Sequence, residues 1–380
     1  MKPIAFFLFL MKKHKKKTVA EGFSNCGALK RMKGKLVLVT GGASFISSHL
    51  VDTLLKMGAD VIVADDFSSG KLENLEYPFA KKPLDKWVYK NLTVYKGDLK
   101  DRNFTRHMVD DVDVVFHLAA LHGGRGYIDT HPAECSSNMI LDQLVFEEAC
   151  NAGVDRVCFA SSACVYPSYL QEQAGSGYLL KESDADPFVR DKAFADLEYG
   201  WAKLMGEMAL KAYHKEYGMK TAATRIFTAY GPRENETHAI VALIAKAFIK
   251  MDPYVIWGSG EQDRNFTYVQ DIVDAMILAS QKIQDGSAVN AGRSDRLTIN
   301  QTIDLVFDLV DWKPKKIARD LTKPQGVASR AADLTKAGKL LDWTPKVSYK
   351  EGFKKTIDWY FANHTVEGVK ANLERALLER

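Results

Sequence analysis

Residues 36–50 read LVLVTGGASFISSHL. Leu36, Val37, Leu38 and Val39 form a continuous apolar run, as expected of a parallel strand buried on both faces. Thr40-Gly41-Gly42 turns the chain, and Phe45 through Leu55 brings apolar residues back at helical spacing. A strand, a tight glycine turn and a helix present unpaired N–H groups and a partial positive charge, which suit a pyrophosphate. The fingerprint for that purpose spaces glycines at i, i+3 and i+6; here those positions hold Gly41, Ser44 and Ser47. Each serine adds a Cβ where glycine lets backbone approach. An ordinary glycine turn in an α/β sheet stays open as a reading until other residues join.

They do join. The next run, DVIVAD (60–65), ends in Asp65, 24 positions after Gly41. A carboxylate there accepts hydrogen bonds from the adenosine ribose and repels a 2′-phosphate, which favours NAD over NADP. Asp66 follows at the same turn, where a solvated loop acid is the plainer reading. Phe45 and Ile46 open the helix beside the pyrophosphate position. Asp98 and Leu99 end a third strand, with Asp98 placed to accept from the adenine amino group. Leu118, Ala119 and Ala120 end a fourth, where small side chains let a nucleotide pass. In an open α/β sheet the ligand lies beyond the carboxyl ends of the strands, so these positions converge.

Strands are expected over 35–40, 60–65, 92–96, 112–117, 156–160 and 221–227. Helices are expected over 45–57, 102–109, 138–152 and 199–217 between them, then over 238–250, 269–282, 300–309 and 349–363. Alternation of this kind predicts an α/β fold: a Rossmann-type, doubly wound parallel sheet with a smaller mixed α/β C-terminal substrate domain. The polar, lysine-rich stretch 77–91 reads as a surface loop. The expected division is a disordered basic extension (1–31), an NAD-binding domain (32–230 with returning segments), a substrate domain (231–364) and a helical tail (365–380).

The net charge of +4 is misleading, because the first 34 residues hold nine Lys/Arg and one Glu, or +8, leaving the rest near −4. That excludes a nucleic-acid footprint on the body of the chain. The apolar run 3–11 is too short to span a bilayer, which needs about 20 residues. Five cysteines, at 26, 135, 150, 158 and 164, contain no CxxC pair and fit a reducing, cytoplasmic setting. No His/Asp/Glu/Cys cluster has metal-ligand spacing, so no metal is expected.

The chemistry falls in two segments. ASSACVYP (160–167) follows the fifth strand, and YGWAK (199–203) opens a helix. The i, i+4 spacing sets Tyr199 and Lys203 on one helical face. An ammonium beside a phenol favours the phenolate and lowers the tyrosine pKa from about 10. Such a tyrosine takes the proton of a sugar hydroxyl as hydride leaves, while Ser162 holds the same hydroxyl.

With these motifs in order, the chain from Lys35 to about Asn363 resembles the extended short-chain dehydrogenase/reductase family of NAD-dependent nucleotide-sugar epimerases and dehydratases. The resemblance rests on TGGASFIS (40–47), VADD (63–66), GDL (97–99), HLAA (117–120), SSACVYP (161–167), YGWAK (199–203), YGPRE (230–234), GSGEQDRNFTYVQDIVDA (258–275) and LLDWTPKVSYKEGFKKTIDWY (340–360). It implies NAD as cofactor, a nucleotide-diphosphate sugar as substrate and a homodimer built through a helical bundle.

Within the family, HGGRGY (122–127) resembles the glycine-rich substrate loop of GDP-mannose 3,5-epimerases and GDP-fucose synthases. By that resemblance Gly123, Gly124 and Arg125 contact substrate, Cys164 is a base and His238 an acid for epimerisation at C3 or C5 of a GDP-hexose. Oxidation at C4 acidifies both C–H bonds beside the new ketone. A cysteine of pKa about 8.5 and a histidine near 6.5 suit removal and return of a proton. Cys164 reads equally as a small apolar residue after a strand, and His238 as a solvent-facing residue at a helix start. Arg264, Arg330 and, less specifically, Lys246 match positions that meet the diphosphate or ribose. Thr228 replaces the usual asparagine, and Ala328 stands where a 3,5-epimerase has arginine. A UDP-hexose 4-epimerase, a dehydratase or decarboxylase, and a catalytically silent NAD-binding protein stay open as alternatives.

Overall fold

The computed structural model describes residues 32–83, 85–173, 175–323 and 326–376; the expected extension over 1–31 lies outside the described residues. The chain begins with β1 (Leu36–Thr40), α1 (Phe45–Lys56), β2 (Asp60–Asp65), β3 (Ala80–Lys82), β4 (Lys86–Tyr89) and β5 (Leu92–Lys96). It continues through α2 (Arg102–Val109), β6 (Val114–His117), the short α3 (Arg125–Thr130) and α4 (Pro132–Ser136), α5 (Asn138–Asn151) and β7 (Arg156–Ser162). Then come α6 (Leu197–Tyr217), β8 (Lys220–Ile226), β9 (Ala229–Tyr230), α7 (Ala239–Phe248), β10 (Tyr254–Trp257), β11 (Asp263–Arg264) and β12 (Thr267–Tyr268). The last elements are α8 (Val269–Lys282), β13 (Asp285–Ala291), β14 (Leu297–Thr298), α9 (Ile299–Val310), β15 (Ile317–Asp320), β16 (Ser329–Arg330), α10 (Thr335–Leu341), α11 (Tyr349–Asn363) and α12 (Val366–Ala376).

One nine-stranded sheet runs in the order β13-β8-β7-β6-β1-β2-β5-β4-β3. Its first seven strands are parallel, with β1 between β2 and β6. Strand order reverses at β1/β6, and the crevice of a doubly wound sheet opens there, beyond the strand ends. Alternate faces of β1 explain the layers. Val37 and Val39 pack with Leu50, Val51 and Leu54 of α1 and with α8, while Leu38 packs with α2, α5 and α6. Asp101 caps α2 by accepting from the Asn103 N–H at 2.8 Å, and Gly218, at φ +71°, ends α6 in the left-handed conformation. A second apolar cluster joins α7, α9, α11 and β10, with Val369 and Leu373 of α12 packed into it.

One expectation needs correction. The stretch 77–91 is not a plain loop. Its strands β3 and β4 form an antiparallel hairpin that extends the sheet from β5. The aromatics between the lysines drive this: Trp87 meets Phe67 at 5.6 Å and Tyr89 stacks on Tyr77 at 5.4 Å, centroid to centroid. The chain also returns to the large sheet late, adding β13 beside β8.

Candidate active site

Gly41 sits at the switch point with φ +63°, and a Cβ there would lie 2.9 Å from the Ala119 Cα. The loop after β6 therefore crosses the glycine turn at backbone contact. Thr40 fixes that crossing, its Oγ1 accepting from the N–H groups of Leu118 and Ala119 at 3.0 and 3.1 Å. Ser47, in place of the third glycine, is accommodated: its hydroxyl donates to the Gly41 carbonyl at 2.6 Å. Ser44 caps α1 without a side-chain bond of its own. Asp65 accepts from the Ala43 N–H at 2.9 Å and the Phe67 N–H at 2.8 Å, tying β2 to the glycine turn. At the outer edge, Arg233, held at φ +70°, reaches Asp52 of α1 at 2.8 Å and Glu76 at 3.4 Å.

Every site residue expected from the sequence lines one cavity of about 940 Å³. Its adenosine end has Asp65, Asp66, Asp98 and Leu99, and its middle has Leu118, Ala119 and Ala120 beside Tyr199 and Lys203. Ser162 and Cys164 stand on the turn after β7, where the Ser162 Oγ accepts from the Cys164 N–H at 3.1 Å. Asp196 donates its N–H to the Cys164 carbonyl at 2.8 Å, and Gly200 packs against that carbonyl so closely that a side chain would overlap it. Helix α6 thus brings Tyr199 to the side of Ser162, whose hydroxyl acts to lower the phenol's pKa.

Lys203 is 1 % exposed, with its Nζ 4.4 Å from the centre of the Phe159 ring and no hydrogen-bond partner among the described residues. Burial pushes its pKa down, and the Asp142 carboxylate opposes the shift. Asp142 belongs to a buried spine: its Oδ1 lies 2.9 Å from the His117 Nε2, and the His117 Nδ1 lies 2.8 Å from the Thr40 Oγ1. His117 is thereby a packed strand residue, as its place in β6 suggests. The pKa of Tyr199 moves opposite to expectation. Burial, with Cys164 and Asp142 adding to it, raises it well above the ordinary phenol value. The ammonium at i+4 does not reverse this, because Lys203 is itself desolvated.

Arg125, Arg264 and Arg330 gather at the substrate end. Arg125 makes two bonds to Asp196, at 3.0 and 2.9 Å, and Arg330 approaches the same carboxylate at 3.6 Å. The Arg330 Nη1 lies 3.9 Å from the Cys164 Sγ. Burial, then the like charges of Arg330 and Arg125, press Arg264 down to about 9. One end of the cavity thus gathers three guanidinium groups around Asp196, with Asp129 also paired to Arg125 at 2.8 Å, and supplies the N–H donors a diphosphate needs. Lys246 donates to the Val255 carbonyl at 2.9 Å, and burial lowers it to about 8. Thr228 lines the wall between α7 and the sheet.

His238 has its Nδ1 near Thr237 Oγ1 at 3.2 Å and Asn235 Oδ1 at 3.3 Å, and burial pushes its pKa down to about 4. It is a cavity residue rather than a solvent-facing one. The sequence reading left out His122, whose ring is 5.0 Å from Tyr199 and 5.5 Å from His238. It also left out Glu234 and Asp142, although a lone acid inside the apolar run NMILDQLVF marks the latter.

The close crossing at Gly41, the open N-terminus of α1 and the orphaned Lys203 Nζ fit a dinucleotide, whose polar groups would give the lysine a partner. Among the described residues no group of three His/Cys/Asp/Glu side chains has the arrangement of a metal site, and no helix is long and apolar enough to cross a membrane.

The model of the NAD dependent epimerase/dehydratase family matches residues 37–292. The chain is 28% identical over 333 residues to a UDP-N-acetyl-alpha-D-glucosaminuronate decarboxylase of Bacillus cytotoxicus, covering 86% of this chain and 98% of that one. It is 30% identical over 329 residues to GDP-mannose 3,5-epimerase of Arabidopsis thaliana, covering 85% and 81%. The structure of UDP-glucose 4-epimerase from Thermotoga maritima with UDP-glucose superposes with a TM-score of 0.72 at 28% identity, covering 85% of this chain and 98% of that one.

Proposed function

The chain belongs to the NAD dependent epimerase/dehydratase family, whose cofactor is NAD, and from that premise we propose that it epimerises a nucleotide-diphosphate sugar through a transient 4-keto form. The substrate class we infer is a GDP-hexose, with inversion at C3 or C5. What supports this reading above simple 4-epimerisation is one observation: Cys164 and His238, carried by different elements, line the same cavity as Tyr199.

Residues that would hold the cofactor are Gly41, Ser44, Phe45 and Ile46 at its pyrophosphate, Asp65 at its ribose and Lys203 at the nicotinamide half. The chemistry that NAD would supply when bound is reversible acceptance of the C4 hydride. Ser162 orients the C4 hydroxyl and Tyr199 Oη receives its proton, against the pull of burial on the phenol. Cys164 Sγ, beside the Arg330 guanidinium, removes the acidified sugar proton, and His238 returns one. Arg125, Arg264 and Arg330 hold the diphosphate, with Gly123, Gly124, Thr228 and Lys246 completing the pocket wall.

The test is mass spectrometry of GDP-mannose incubated with enzyme and NAD in D2O. Carbon epimerisation places deuterium in product and recovered substrate, and Cys164→Ala abolishes it. A new epimer without deuterium moves the assignment to a 4-epimerase, with UDP-hexoses then the substrates to try. Loss of water or carbon dioxide moves it to a dehydratase or decarboxylase.

We also infer a homodimer, supported by apolar side chains left uncovered on α5 and α6: Ile140 is 65% exposed, Met205 45% and Trp201 40%. Among the described residues Cys135, Cys150, Cys158 and Cys164 enter no disulfide, which supports a cytoplasmic setting. A division near residue 231, with α8 and β13 returning to the NAD-binding half, accords with the two apolar clusters.

A further inference from the structure

The helix that carries Tyr199 and Lys203 begins under strain. Asp196 opens α6 in the extended conformation, yet its carboxylate caps no N–H of the first turn, a bond that aspartate favours at this position. Leu197, the first residue of α6, stands at φ +55°, a left-handed conformation unfavourable to leucine. Its side chain is 37% exposed, so packing does little to offset that cost. Tyr199 follows two residues later. Contacts from outside the helix must hold this start in place.

The buried Asp196 carboxylate supplies them. Both its oxygens accept from the Arg125 Nη1, at 3.0 and 2.9 Å, and the Arg330 guanidinium stands 3.6 Å from Oδ2. Arg125 opens α3 and Arg330 ends β16, elements far apart in sequence. Both arginines line the substrate end of the cavity, and Arg330 is fixed further by donating from Nε to the Gln171 Oε1 at 2.6 Å. On the backbone side, the Asp196 N–H is tied to the Cys164 carbonyl and its own carbonyl accepts from the Gly200 N–H at 3.1 Å. One residue thus joins the arginines of the substrate end to the first turn of the catalytic helix. Breaking a buried pair of this kind leaves charge uncompensated and the geometry loose.

We propose that Asp196 is a positioning residue for Tyr199: its ion pair with Arg125 and Arg330 holds the strained start of α6 so that the phenol meets the C4 hydroxyl. The assignment rests on the reading of Tyr199 as the group that takes the C4 hydroxyl proton. In this role Asp196 moves no proton, and its effect is geometric. A displacement of a catalytic group by about 1 Å costs about 100-fold in rate. The same guanidinium groups face the diphosphate, so the carboxylate also competes with substrate for them. Loss of its charge frees donors for binding while it loosens the base, and the two consequences separate in KM and kcat.

The test compares Asp196→Asn and Asp196→Glu with wild-type enzyme, all NAD-loaded, on GDP-mannose and UDP-glucose. On whichever sugar nucleotide turns over, Asp196→Asn lowers kcat about 10- to 100-fold while KM is no higher. Deuterium at C4 of the sugar slows this variant further, because hydride transfer then limits turnover. Asp196→Glu keeps the charge and regains part of the lost rate. Bound NAD, read by absorbance of the purified protein, is unchanged in both. Wild-type kcat in Asp196→Asn, with or without a rise in KM, overturns the assignment. So does a fall in kcat without a C4 isotope effect, which places the loss in another step. Loss of bound NAD, or an equal fall in both variants, marks a packing role and overturns it too. Wild-type enzyme that turns over neither sugar nucleotide overturns the 4-keto reading itself, and the assignment with it.

Discussion

At the scale of single residues, burial governs the titration of this site more than proximity does. Tyr199 and Lys203 share a helix face, yet desolvation moves both toward neutrality. Removing the phenolic oxygen should then stop chemistry without disturbing the fold. Tyr199→Phe is expected to lower turnover about 10²- to 10⁴-fold, with bound NAD unchanged by absorbance of the purified protein. The histidines give a second expectation. His49 and His238 both fall to about 4 in the folded chain, against an ordinary value of about 6.5. Between those two values the unfolded chain binds more protons, so stability rises with pH across that window and is lost as the solution is acidified. Thermal melting should show a lower Tm at about pH 5 than at about pH 7, and replacing both histidines with glutamine should flatten that slope.

At the scale of elements, the contact between α6 and the turn after β7 is the joint that sets Tyr199 against Ser162 and Cys164. Gly200 makes the contact possible, because its Cα meets the Cys164 carbonyl where no side chain fits. Gly200→Ala should cost about 1–3 kcal/mol by overpacking, read as a fall in Tm, with a loss of activity larger than that of a distant surface variant. Much of this level was legible beforehand. Strand ends such as Asp65 and Ala119 converge because period and glycine spacing dictate a parallel sheet, and α1, α2, α8 and α11 fall where apolar spacing puts them. The hairpin β3–β4 was hidden because four lysines are interleaved with the four aromatics of 77–91 and break their pattern. His122 was hidden for another reason: its neighbours Tyr199 and His238 come from distant segments, which spacing does not encode. Ser47 shows the converse. Its hydroxyl satisfies the Gly41 carbonyl, so the departure from glycine carries its own compensation.

At the scale of the whole molecule, the reversal of strand order beside β1 makes a single cleft out of residues spread from Gly41 to Arg375. The helices α5 and α6, which back this cleft, also carry the uncovered apolar face. Ile140→Glu combined with Trp201→Glu should convert a dimer to a monomer in sedimentation at micromolar protein, while a single Lys on the lysine-rich hairpin changed to Gln leaves it unaltered. That hairpin has a further consequence. A parallel sheet ending at β5 would present a long unpaired edge on which another copy could add a strand. Instead the edge closes with β3, a strand of three exposed residues of which Lys81 and Lys82 are two. Short length and clustered charge make a poor template for further pairing, so the terminal strand acts as a guard against fibrous growth at this edge of the sheet.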